Sequence, residues 1–357
     1  MRTILIPLLS LTALALGVTA CGGATADFEP NGGGAAGTEN TDEGNDDADV
    51  DGGDSTEDAS ADGDDGSDDP EVPGPTISFA CPGGTIAEGS NEITIDGKKR
   101  TFLVDLPSDT DGPLGVVFSW HGYGDSASNF RSALGLDPDA SSSQPLIVIT
   151  PEDSGLQPVG GQPGLDWDIL AGKPGDANID IAFFEAMLGC VNEQYSLDST
   201  RVYSLGFSAG SVFTALLHSR YPELFAATVH LSGAWMNDPE QTNLVPKLLP
   251  LNWSWPELDP ADGGHVLLTH GGDSDAVGAM GVTVINLEDA AQAALPFLEA
   301  AGRTVVDCVH DNGHTLHPEL SAAAIVDYLV AHRKGAPSPF ADGTLEGFPD
   351  SCTLRQP

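Results

Sequence analysis

The hydrophobic pattern divides the chain of 357 residues into three stretches. From Ile4 to Leu16 nearly every residue is apolar, and from Gly22 to Pro75 large apolar side chains almost disappear. From Thr76 onward apolar runs return at regular spacing. Within this third stretch Glu92-Ile93-Thr94-Ile95 and Thr101-Phe102-Leu103-Val104 alternate on either side of Asp96-Gly97, a pattern that predicts a β-hairpin with a tight turn. Short apolar runs follow at Val116-Val117-Phe118, Leu146-Ile147-Val148-Ile149, Val202-Tyr203, Ala227-Thr228-Val229, Val266-Leu267-Leu268 and Val305-Val306. Most are bounded by Gly, Pro or polar residues, as expected of parallel strands buried on both faces.

Helical spacing lies between several of these runs. Ile181, Phe184, Leu188 and Val191 share one helical face. Val212, Phe213, Leu216 and Leu217 mark a second helix, which should end near Tyr221 because Pro222 disfavours the helical conformation of the residue before it. Residues 290–301 and 320–332 read as two more. The alternation predicts an α/β domain: a mostly parallel central sheet with helices on both faces and an N-terminal β-hairpin.

The first two stretches have other roles. Arg2, a short apolar core and small residues before position 21 read as a signal peptide over residues 1–20, the core being too short to span a bilayer as a mature helix. Val18-Thr19-Ala20-Cys21 resembles the lipobox of bacterial lipoproteins, which implies that Cys21 is lipidated and anchors the mature chain to a membrane. Gly22 and Gly23, with no acidic residue directly after Cys21, favour delivery to an outer membrane or cell surface. Residues 22–75 carry 18 acidic side chains and no Lys or Arg. Such a segment cannot bury enough apolar surface to offset the entropy of ordering, so residues 21–75 are expected to be a self-repelling, disordered tether. Residues 76–357 are then expected to be the one folded domain, and the candidate catalytic one.

Charge narrows the partners. The formal net charge is −41, and the predicted domain retains 36 acidic against 12 basic residues. That surface repels phosphate backbones, which argues against a nucleic-acid partner. Cys81, Cys190, Cys308 and Cys352 are an even set in an exported chain, which predicts two disulfides in one of three pairings. They lack paired CxxC spacing, and no metal ligands or cofactor are expected.

Candidate chemistry centres on Val202-Tyr203-Ser204-Leu205-Gly206-Phe207-Ser208-Ala209-Gly210, a G-x-S-x-G string between a predicted strand and a predicted helix. A serine on such a turn projects its hydroxyl above a parallel sheet, and the N–H of Ala209 faces any oxyanion formed there. The hydroxyl needs a base, and the base needs an orienting carboxylate. Downstream, the strand Val266 to Thr269 runs into His270-Gly271-Gly272-Asp273-Ser274-Asp275, where Asp275 is the expected acid and Asp273 its competitor. After the strand from Thr304 to Val309, Asp311-Asn312-Gly313-His314 offers His314 as base, with His310 and His317 close by. His121, His218, His230, His265, His270 and His332 read as packing or surface residues. A second oxyanion donor is expected from Ser119-Trp120-His121-Gly122-Tyr123-Gly124, with the Tyr123 N–H as partner to that of Ala209.

These motifs, H-G-x-G at 121–124, R-V-Y-x-x-G-x-S-x-G at 201–210, H-G-G-x-x-D at 270–275 and C-x-x-x-x-G-H at 308–314, together resemble the feruloyl esterase and polyhydroxybutyrate depolymerase group, related to carbohydrate esterase family 1. The resemblance spans residues 92–332. It implies an α/β-hydrolase fold, ester hydrolysis without metal, and Ser208, Asp275 and His314 as the triad. One departure is Tyr123-Gly124-Asp125, where the group often has a Cys-x-x-Gln-like segment. Trp235, Trp253 and Trp255, in an insertion between Gly233 and Gly264, either stack on a sugar or phenolic ring of the substrate or pack the insertion onto the core. The expected substrates are feruloyl or acetyl esters of polysaccharides, or hydroxybutyrate-type polyesters. A peptidase or thioesterase on the same triad, and a silent surface-binding lipoprotein, are the competing readings.

Overall fold

A computed structural model of the chain describes residues 73–141, 144–154, 166–240, 253–279, 282–340 and 342–357. The expected signal peptide, Cys21 and almost all of the expected tether lie outside the described residues.

The first strands among the described residues are an antiparallel pair, β1 (Gly89–Ile95) and β2 (Lys98–Asp105). Asp96 and Gly97 join them with φ of 50° and 76°, the double positive φ that matches a two-residue turn to the twist of its strands. The remaining strands are β3 (Leu114–Trp120), β4 (Leu146–Pro151), β5 (Leu197–Phe207), β6 (Phe225–Leu231), β7 (His265–His270), β8 (Ala276–Ala279), β9 (Val282–Asn286), β10 (Thr304–Val309) and β11 (Cys352–Arg355). Among the described residues nine of them form one sheet in the order β1-β2-β4-β3-β5-β6-β7-β10-β11. The six from β4 to β10 pair in parallel, and antiparallel strands close both edges. β8 and β9 form a separate antiparallel pair.

The helices are α1 (Ala127–Leu134), α2 (Ile179–Gln194), α3 (Ala209–Arg220), α4 (Leu287–Ala300) and α5 (Ala322–Ala331). Four begin at polar caps, Ser126, Asn178, Asn286 and Ser321, whose side-chain oxygens accept N–H groups of the first turn. The exception is α3, whose N-cap Ser208 makes no side-chain cap. Every residue of β3, β4 and β6 is buried. Side-chain alternation sorts them into two layers. Val116, Phe118 and Trp120 pack with α2, α3 and α4, whereas Val117, Tyr203 and Leu205 pack with α1 and α5. This is the α/β-hydrolase architecture, and the six parallel strands coincide with the six apolar runs of the sequence. Burial of helices on both faces explains why the runs are continuous rather than alternating.

Two disulfides, Cys81–Cys190 and Cys308–Cys352, tie the ends of the domain to it. The first holds the segment before β1 against α2, where Phe79 also packs edge-on against Phe184 and Tyr221. The second staples the edge strand β11 across its register partner on β10.

Candidate functional site

The parallel strands end on one side of the sheet, and the loops leaving β3, β5, β7 and β10 carry the residues singled out above. Ligand sites in open α/β sheets form outside these carboxyl ends. Ser208 follows directly on β5 and has φ 54° and ψ −118°, a strained conformation for a non-glycine residue. The flanking glycines make the turn possible. A Cβ on Gly206 would overlap the carbonyl oxygen of Gly210, and one on Gly210 would overlap that of Trp120. The Ser208 N–H is fixed by the Leu231 carbonyl of β6 at 2.9 Å.

From this turn Ser208 Oγ lies 2.9 Å from His314 Nε2. His314 Nδ1 lies 2.7 Å from Asp275 Oδ1. Asp275 is fully buried, and its Oδ2 accepts the Gly271 N–H at 2.8 Å. A carboxylate can only accept, so the imidazole is protonated at Nδ1 and presents the Nε2 lone pair to the serine hydroxyl. The His314 ring stacks on Phe207 with centroids 4.8 Å apart. The structure therefore brings Ser208, His314 and Asp275 into one hydrogen-bonded line.

The competitors sit elsewhere. Asp273 lies in the short turn Gly272–Ser274 and is exposed. His310 Nδ1 accepts the Asn312 N–H, and His317 Nδ1 accepts the N–H groups of Glu319 and Leu320, so both organise turns. Burial lowers the pKa of each, and both are thereby held neutral as acceptors.

The loop after β3 lies against the serine. A Cβ on Gly122 would come within 3.3 Å of Ser208 Cβ and 3.0 Å of the Phe207 ring. Tyr123 is 40% exposed at the loop's tip. The next N–H, of Gly124, is taken by Asp166, and that of Asp125 by the Gly122 carbonyl. No hydrogen bond among the described residues occupies the N–H of Tyr123 or of Ala209. Ala209 opens α3, whose N-terminal end carries the partial positive charge of the helix dipole. Burial raises the pKa of Asp166, partly offset by its bond to Gly124.

The tryptophans divide differently. Trp235 is fully buried, with its ring against His218 and His230. Trp255 is also buried and donates Nε1–H to the Ile169 carbonyl at 2.6 Å. Trp253 is half-buried and meets Trp255 edge-on. Trp235 and Trp255 thus pack the insertion onto the core; residues 241–252 of that insertion lie outside the described residues. Trp167 is buried as well, donating Nε1–H to the His121 carbonyl at 2.9 Å.

Sequence reasoning overlooked a support behind the acid loop. His270, at the end of β7, is fully buried between Glu288 on Nδ1 and Asp307 on Nε2, the latter at 3.0 Å. Glu288 also accepts the Gly272 N–H at 3.1 Å. Burial by itself lowers the His270 pKa, but the hydrogen bonds to Asp307 and Glu288 more than reverse this and leave it raised. The available signal was His270 in the H-G-G string, but its partners lie 18 and 37 residues away with no motif of their own.

Residues 121–242, from the β3 loop past α3, match the model of the Esterase PHB depolymerase family. Feruloyl esterase D of Neurospora crassa is 30% identical over 182 residues, 46% of this chain and 60% of that protein. Oxidized polyvinyl alcohol hydrolase of a Sphingopyxis species is 30% identical over 197 residues, 47% of this chain and 52% of that protein. The matched region thus spans little more than half the length of these relatives. Among solved structures, a complex of pOPH with DMSO superposes with a TM-score of 0.62 at 22% identity, covering 78% of this chain and 96% of the other. Native sOPH gives a TM-score of 0.57 at 22% identity over 78% and 97%. At that identity the likeness speaks to the fold.

Proposed function

We propose that this chain is an exported serine esterase of the PHB depolymerase and feruloyl esterase group, hydrolysing carboxylic esters through Ser208, His314 and Asp275. The observation that carries the reading is the line from Ser208 Oγ through His314 to the buried Asp275. Ser208 Oγ attacks the ester carbonyl carbon while His314 Nε2 takes the hydroxyl proton. The carbonyl oxygen gains the charge and accepts hydrogen bonds from the N–H groups of Ala209 and Tyr123. When the intermediate collapses, the C–O bond to the alcohol breaks and the imidazolium returns its proton to the leaving oxygen. Water then attacks the acyl-serine with the same base, releasing the acid and restoring Ser208. Asp275 fixes the tautomer and stabilises the transient imidazolium.

The family match and the feruloyl esterase relative support an ester substrate, read here as feruloyl or acetyl esters of polysaccharides or a hydroxybutyrate-type polyester. The lipobox-like sequence supports an anchor at Cys21, with the acidic segment as spacer. No helix among the described residues is long and apolar enough to cross a membrane.

A fluorophosphonate probe should label the folded protein at Ser208 and leave Ser208→Ala unlabelled; no labelling of the parent would favour the silent lipoprotein. Methyl ferulate, acetylated xylan and hydroxybutyrate oligomers should be hydrolysed faster than an aminoacyl anilide, and the reverse order would favour a peptidase. Mass spectrometry of membrane-extracted protein should find a lipid on Cys21 that is lost in Cys21→Ser.

A further inference from the structure

Behind the β3 loop lies a polar cluster that the triad does not use. His121 is fully buried, and its Nδ1 lies 2.9 Å from the Gly122 carbonyl oxygen. A carbonyl only accepts, so Nδ1 donates to it and Nε2 is the ring atom left for another partner. That Nε2 is buried and makes no hydrogen bond. Its neighbour, 3.5 Å away, is Asp153 Oδ2, too far for a good hydrogen bond. Glu152 adds a third donor atom, and the three lie within 4.8 Å of one another. Asp166 is within electrostatic range of all three. A buried ring nitrogen that makes no hydrogen bond and faces two carboxylates has the placement of a metal ligand.

We propose that His121, Glu152 and Asp153 form a divalent-cation site, with Zn²⁺ the ion best matched to it, that secures the β3 loop from behind. The donor set of one imidazole and two carboxylates is one that Zn²⁺ accepts. Ligand atoms around tetrahedral Zn²⁺ stand roughly 3.3–3.5 Å apart, close to the separation of His121 Nε2 and Asp153 Oδ2. The Nδ1–H bond to a backbone carbonyl is the outer support that metal-bound histidines generally have, fixing the ring's tautomer and direction. The placement links the ion to the loop. Glu152 Oε2 accepts the Ala127 N–H at the start of α1 at 3.0 Å, and Gly122, next to His121, lies against Ser208. The residues are 31 and 32 positions apart in sequence, on the loops after the adjacent strands β3 and β4, so no local spacing announces them. The inference stands apart from the ester chemistry, because the ion would contact neither Ser208 nor the substrate.

The test is titration of the chelator-treated full chain with Zn²⁺ by calorimetry, with Tm measured in parallel, for the parent, Asp153→Asn and Glu152→Gln. The two variants guard against one failing to fold, and circular dichroism checks each. One saturable Zn²⁺ per chain that raises Tm, with affinity at least tenfold weaker in the folded variants, is expected. The acidic surface and tether bind Zn²⁺ alike in all three proteins, so they cancel in the comparison. Equal titration of parent and folded variants, or no saturable binding by the parent, would overturn the site and leave His121 and Asp153 a simple ion pair.

Discussion

Gly313 donates its N–H to the Gly271 carbonyl at 2.9 Å, and a Cβ on Gly271 would overlap the carbonyl oxygen of Gly313. The loops that deliver Asp275 and His314 are therefore in backbone contact, with no space for a side chain between them. Since Gly271 also donates to Asp275 Oδ2, a methyl group here disturbs Asp275 and His314 together, the proposed acid and base. Gly271→Ala should lower kcat by about a hundredfold, the order expected for a displacement of about 1 Å in a catalytic group. Far-UV circular dichroism should stay near that of the parent. Parent-like turnover would mean that the two loops are set independently.

The two acids of the β7 loop should separate sharply. Asp275→Asn keeps the shape but replaces the acceptor facing His314 Nδ1, which favours the wrong tautomer; kcat should fall by about 10⁴. Asp273 is exposed in the short turn, whereas Asp275 holds the imidazole, so Asp273→Asn should leave kcat within about twofold. Matching losses in the two variants would reject Asp275 as the orienting group.

His270 sets a pH dependence of stability. Its folded-state pKa is raised above 6.5, against the opposing effect of burial, by hydrogen bonds to Asp307 and Glu288. A histidine shifted this way contributes its stabilisation in full below the unfolded-state value and loses it as the pH rises through the folded-state value. The Tm gap between the parent and His270→Gln should therefore be widest below pH 6.5 and shrink on the alkaline side. A gap that widens with rising pH would contradict stabilisation of His270 by Glu288 and Asp307.

How much of this was legible in the sequence follows from how local each feature is. The Ser208 turn is local: strand, tight turn and helix are consecutive, and the glycines are required by overlaps within a few residues or with the neighbouring β3 end. The preference for Asp275 over Asp273 rests on the H-G-G-x-x-D spacing alone, because the exposure of one carboxylate and the burial of the other depend on the short turn at Gly272–Ser274. The same holds for the tryptophans, whose aromatic faces suit a substrate or a core equally until the fold buries Trp235 and Trp255. Disulfide pairing and the His270 and His121 clusters join residues from separate elements, sheet and helix alike, and only the tertiary fold brings these together. The parallel strands were readable because burial on both faces leaves an unbroken apolar run, whereas α1 and the edge strand β11 are short and carry no such run.

The two disulfides should contribute unequally. Cys81–Cys190 closes a loop with sequence separation 109, and Cys308–Cys352 one of 44. Restricting the unfolded chain over these spans gives about 5 and about 4 kcal/mol in the loop-entropy picture. Native contacts act in the same direction, since the first bridge also holds Phe79 against Phe184 and Tyr221, whereas the second secures the four-residue edge strand β11. Cys81→Ser/Cys190→Ser should therefore lower the urea midpoint at least as much as Cys308→Ser/Cys352→Ser, with the slope showing whether the denatured state has also expanded. The opposite order would place the greater stabilisation in β11 and its neighbours: Ser351 Oγ meets His317 Nε2 at 3.1 Å, and through His317 the second bridge would then support the turn that follows His314.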